Sequence, residues 1–120
     1  MLPINILSKF ESFQEQWTPK IIGELNGQHV KLAKLSGEFV WHDHKDEDEL
    51  FLVMRGTLLM HFRDRSEQVN EGEILIVPKG VEHLPEAKTE EVWVLLFEPI
   101  ATRHTGEVVD PRTVENQDLI

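Results

Sequence analysis

The alternation of apolar and polar positions divides the chain into one helical stretch followed by a series of short strands. Ile6, Phe10, Phe13 and Trp17 recur at steps of four, three and four, with Ser8, Lys9, Glu11, Ser12, Gln14 and Glu15 filling the other positions. That spacing predicts a short amphipathic helix within residues 4–17, lying as a cover on one side of the fold. Thr18-Pro19 ends it, because proline cannot continue a helix. Beyond Lys20 the period shifts to two or to short apolar runs. Residues 20–25 and 28–35 flank Asn26-Gly27, a strong two-residue hairpin signal. Residues 38–44, Leu50–Met54, Thr57–Arg63, Glu67–Asn70, Ile74–Val77 and Glu91–Glu98 read as further strands separated by turn residues. No strand–helix–strand alternation appears, so the expected class is all-β: a small antiparallel β-barrel behind a short N-terminal helix. Residues 1–27 carry the helix and the first hairpin strand, 28–100 the barrel core, and 101–120 a polar tail. In the tail, Val108-Val109 is expected to pair as a short strand and residues 113–120 to form a loose end.

One strand pair also carries chemistry. His42 and His44 stand two apart, so on an extended backbone both point to the same face. Glu49 opens the next strand and can turn back toward them. Two neutral imidazoles and a carboxylate converging from a rigid sheet are a donor set for a divalent transition metal. His83 supplies a fourth donor, because Ile74–Val77 followed by Pro78 and Gly80 repeats the arrangement of strand, turn and histidine. Taken alone, any one of these residues reads as an ordinary strand or surface residue. Their joint placement carries the metal reading. The intervening Asp43, Asp46, Glu47 and Asp48 read as a solvated connection, which would also enrich cations at the mouth of the site.

In these residues the chain resembles the cupin superfamily. Gly37, His42, His44, Glu49 and Gly56 fill the first cupin motif, with four residues between His44 and Glu49 and six between Glu49 and Gly56. Gly72, Pro78, Gly80 and His83 fill the second. Two positions depart from the pattern: four residues rather than five separate Gly37 from His42, and Ala87 stands where the motif ends in Asn. The resemblance spans residues 28 to 100 and implies a single-domain, jelly-roll type cupin barrel with His42, His44, Glu49 and His83 around a metal. It also implies a homodimer and kinship with the cupin part of mannose-6-phosphate isomerases. Zinc, manganese, iron and nickel all accept such a set, so the ligands alone leave the metal open.

Composition bounds the function further. Within 120 residues there are 22 acidic and 12 basic side chains, a formal charge of −10 that argues against a nucleic-acid partner. With no cysteine, disulfides and thiolate ligands are excluded and any metal is held by nitrogen and oxygen. No apolar stretch approaches the roughly 18 residues of a membrane span, and no charged, apolar leader opens the chain, so a cytoplasmic protein is expected. A metal held by three histidines and a glutamate suits a small oxygenated ligand and several reaction classes. The expected functions are isomerisation of a carbohydrate-like substrate, O₂-dependent dioxygenation or polyketide tailoring, or non-catalytic sensing of a small molecule. Lys45, Arg55 and Lys79 are candidates for a substrate phosphate, and His61, Arg103 and His104 for the barrel interior or mouth. His29 reads as exposed beside its turn.

Overall fold

In a computed structural model of the protein, residues 1–100, 105–106, 108, 110–114 and 116–120 are described. One helix, α1 (Ile6–Glu11), precedes eight strands: β1 (Lys20–Leu25), β2 (Gln28–Leu35), β3 (Glu49–Arg55), β4 (Leu58–Phe62), β5 (Ser66–Val69), β6 (Ile74–Val77), β7 (His83–Ala87) and β8 (Val92–Pro99). They form a five-stranded sheet in the order β1-β2-β8-β3-β6 and a three-stranded sheet β5-β4-β7. Every strand pairing within the sheets is antiparallel. The two sheets face each other as a jelly roll, which is the all-β barrel the alternation predicts.

Side-chain alternation assigns the two faces of the larger sheet. Ala33 and Leu35 of β2, Phe51 and Val53 of β3, and Val94 and Leu96 of β8 point inward, meeting Leu58, Met60 and Phe62 of the opposing sheet. Leu32 and Trp93 point outward and would be wetted on a bare sheet. Phe10, Phe13 and Ile22 cover them, with Phe10 fully buried and stacked on Trp93 at 4.8 Å between ring centroids. Asn5 caps α1 by accepting the Ser8 N–H at 3.0 Å.

The helix is shorter than its apolar stripe. Phe13 and Trp17 are buried as the spacing requires, yet they lie beyond the helical residues. The Trp17 N–H donates to the Lys34 carbonyl at 2.8 Å, and Gln16 bridges Lys34 in parallel, so an edge of the larger sheet captures this stretch. A sheet edge offering backbone partners overrides the helical period. The C-terminal end also departs from expectation: it is not loose. Ile21 and Leu119 form a parallel bridge, Ile120 packs beneath the helix, and Lys20 is salt-bridged to Asp118 at 3.1 Å. The expected Val108-Val109 strand includes residue 109, outside the described residues, as are Arg103 and His104.

Two turns need their glycines. At the Asn26-Gly27 hairpin both residues have positive φ, 51° and 75°, which such a two-residue turn demands. Gly56 (φ 83°) lets β3 turn into β4, and a Cβ there would stand 2.7 Å from the Glu91 carbonyl oxygen.

Candidate metal centre

His42 and His44 lie on the connection from β2 to β3, which is extended without being a continuous strand. The only ladder contacts it makes among the described residues are two antiparallel bridges to β7, Glu38 to Glu86 and His42 to His83. The second fixes two candidate ligands against each other: the His42 N–H donates to the His83 carbonyl at 3.0 Å and the His83 N–H to that of His42 at 2.9 Å. His83 opens β7, and Glu49 opens β3 opposite Val77. The Pro78–Gly80 turn is tied to the same connection, since Gly80 N–H donates to the His44 carbonyl at 2.7 Å and Lys79 N–H to Asp48 Oδ1 at 2.8 Å. Within the acidic run, Asp48 therefore locks the turn that delivers His83.

All four predicted ligands are buried, and one donor atom from each lies within 4.8 Å of the others. His44 Nε2 stands 3.4 Å and His83 Nε2 3.7 Å from Glu49 Oε1. A cation about 2.1 Å from each donor sets donor separations of roughly 3 to 4 Å, so these two spacings already fit. The tautomers fit as well. His42 Nδ1 lies 2.9 Å from the Val40 carbonyl and His83 Nδ1 2.9 Å from that of Val81. A carbonyl only accepts, so each Nδ1 carries the proton and each Nε2 keeps its lone pair for the centre. His44 Nε2, Glu49 Oε1 and His83 Nε2 are buried without a hydrogen-bond partner. Buried polar atoms rarely stay unpaired. A divalent cation satisfies all three at once.

The electrostatics suit the same occupant. Burial, helped by the neighbouring His83, lowers the His42 pKa to about 4, so the imidazole is neutral at pH 7. Burial opposes protonation of His44 too, but the adjacent Glu49 carboxylate, with Glu47 and Asp43 nearby, outweighs it and raises that pKa. Burial likewise works against ionisation of Glu49, yet the close approach of Glu98, His44 and His83 holds its pKa well below the usual carboxylate value. Counting the three imidazoles in the neutral form a metal requires and Glu49 as a carboxylate, a bound M²⁺ would leave a local charge near +1.

Sequence reasoning missed the groups behind Glu49. Glu98 on β8 is fully buried and accepts from the equally buried Lys31 of β2 at 2.9 Å. Burial and the adjacent Glu49 push the Glu98 pKa well up, against the opposing pull of Lys31. The signal was present: Lys31 alternates with Ala33 and Leu35, and Glu98 with Val94 and Leu96, all on the inner face. Several other candidates lie away from the centre. His61 pairs with Ser66 Oγ at 2.6 Å and Glu86 Oε1 at 2.7 Å. Arg55 lies over the Trp93 ring at 3.8 Å, and Lys45 and Lys79 are exposed. His29 is half-buried rather than exposed, with a buried Nδ1.

A cavity of about 30 Å³ opens beside His42 and Glu49. Its other nine lining residues are apolar, among them Trp17, Phe39, Phe51 and Leu96. Trp17 and Phe39 stack at 4.3 Å, and the Trp17 Nε1–H is committed to the Ser36 carbonyl at 2.8 Å. Arg112 lies over Phe39 at 4.6 Å and donates to the Glu38 carbonyl at 3.0 Å, fastening the tail across this wall. Gly106 packs so closely on the Asp43 carbonyl that a Cβ would overlap it.

Two facing antiparallel sheets with a three-histidine, one-glutamate cluster between them define a small jelly-roll protein with a group that could hold a metal ion. Residues 28–97 match the Cupin_2 family, described as a cupin domain, and the chain belongs to that family. It is similar to a cupin-2 domain protein of Shewanella frigidimarina NCIMB 400, whose crystal structure superposes with a TM-score of 0.78 at 48% identity, over 80% of this chain and 93% of that one. The crystal structure of protein NMB1881 from Neisseria meningitidis aligns with a TM-score of 0.75 at 31% identity, covering 82% and 99% of the two chains. YdbB of Bacillus subtilis (strain 168) is 39% identical over 80 residues, 66% of this chain and 71% of that protein.

Proposed function

We propose that this cupin holds a divalent transition metal on His42, His44, Glu49 and His83 and uses it to bind and activate a small oxygenated molecule. One observation carries the reading: three histidines and a carboxylate from separate segments converge with their buried donor atoms unpaired by any protein group. When bound, the metal supplies Lewis acidity toward an oxygen ligand. Lone pairs on the imidazoles hold it, and the carbonyls of Val40 and Val81 keep two of those rings in the required tautomer. Glu98, paired with Lys31, lies beside Glu49, while Trp17 and Phe39 form part of the apolar wall of the cavity. Isomerisation and O₂-dependent dioxygenation are the reactions proposed, and the metal distinguishes them. The protein is proposed to act in the cytoplasm as a homodimer, with the exposed Ile74 and Ile76 of edge strand β6 against a second copy.

Metal analysis of protein purified without chelator or nickel resin tests the reading. About one equivalent per chain is expected in wild type and none in His42→Ala/His83→Ala. Iron together with O₂ uptake selects the dioxygenase, and zinc or manganese without it the isomerase. A wild-type protein that takes up no transition metal refutes the proposal.

A further inference from the structure

Taking the metal reading above as its basis, we infer that the ligand is a small molecule with an oxygen-bearing head for the metal and an apolar body, and that it is not a polyhydroxylated sugar. Nine of the eleven residues lining the cavity are apolar, and the two polar ones, His42 and Glu49, are the proposed metal ligands themselves. Around them the remaining polar atoms are already used. Trp17 Nε1–H is bonded to Ser36, and Ala33, Leu35, Val94 and Leu96 sit in the paired ladder of β2 and β8. A sugar would bring a hydroxyl on nearly every carbon into a wall with no partner to give it, and an unpaired buried hydroxyl is strongly disfavoured. An alkyl or small aromatic body meets Phe39, Phe51 and Leu96 instead and gains from leaving water.

Size narrows the class again. At roughly 10–15 Å³ for each water centre, a cavity of about 30 Å³ holds two waters. The body therefore has a few carbon atoms unless the stacked Trp17 and Phe39 swing outward. Charge completes the description, since a centre near +1 favours a monoanionic head such as a carboxylate or enolate.

The test uses full-length protein loaded with cobalt(II), whose visible absorption reports a ligand entering the metal's coordination. Acetate, propanoate and butanoate are titrated as one series, and 3-hydroxypropanoate is compared with butanoate, its near-isostere with a methyl in place of the hydroxyl. Affinity is expected to rise about three- to fourfold per added methylene until the cavity is filled, and butanoate to bind about tenfold tighter than 3-hydroxypropanoate. Equal affinities along the series, or tighter binding of the hydroxy acid or of gluconate, would overturn the inference while leaving the metal site intact. Failure to bind cobalt would instead overturn the metal reading itself, so the two failures are separable.

Discussion

Stripping the protein with chelator and returning a divalent metal should raise its melting temperature by an amount the structure allows to be worked out. Four buried donors converge in the folded chain, and three of their atoms have no other partner. In the unfolded chain His42 and His83 are separated by 40 intervening residues, so the metal binds the native state almost exclusively. Mass action then stabilises that state by about 2.7 kcal/mol at a free metal concentration one hundred times Kd. For a domain of 120 residues, an unfolding entropy of about 2.1 cal/mol/K per residue gives roughly 0.25 kcal/mol per degree. The expected rise is therefore about 10 °C. Differential scanning fluorimetry at fixed protein concentration, with zinc, manganese, iron(II) and nickel titrated into chelator-treated protein, reads it directly. His83→Ala should lose most of the shift, because only His42, His44 and Glu49 remain. A rise of the same size in that variant, or none in the wild type, would refute the reasoning, since the metal would then be binding elsewhere or not at all.

Three further outcomes follow from particular groups. Glu98→Leu should cost about 3–5 kcal/mol in urea unfolding by stranding the buried Lys31 charge, and weaken metal binding about 10- to 100-fold by releasing Glu49. Adding Lys31→Met should restore most of the stability without restoring metal affinity, a split that a purely structural pair would not produce. Metal-free protein should lose stability as pH falls from about 6.5 to about 4, because the folded state holds His42 neutral down to about 4 while the unfolded chain takes the proton near 6.5. At pH 4.5 this one group removes roughly 2–3 kcal/mol relative to pH 7. His44, whose pKa is raised, acts in the opposite sense, so the measurement is the pH-dependent difference between wild type and His42→Gln. Sedimentation or light scattering should give a dimer, and Ile74→Lys/Ile76→Lys a monomer with unchanged circular dichroism; a monomeric wild type at micromolar concentration would end the homodimer proposal.

The sequence by itself determined the class of fold and the identities of the four side chains that gather. Period-two alternation in β2, β3 and β8 sorts inner from outer side chains without reference to any partner, because successive residues on a strand face opposite ways. The two-residue step from His42 to His44, and the turn before His83, are local facts of the same kind. Only the tertiary structure decided where the local pattern gives way. The helical spacing of Phe13 and Trp17 was satisfied by burial alone, and the end of β2 that runs past its pairing with β1 drew Trp17 out of the helix by accepting its N–H at the Lys34 carbonyl. The chain end looked loose because nothing local holds residues 118–120, whereas Ile21, 97 residues before Asp118, supplies their backbone partners. Nothing local marks Lys31 and Glu98 as partners; the register that sets β2 beside β8 pairs and buries both. Short-range periodicity reports which way a side chain faces, and what it meets there is fixed by segments the chain reaches only after folding.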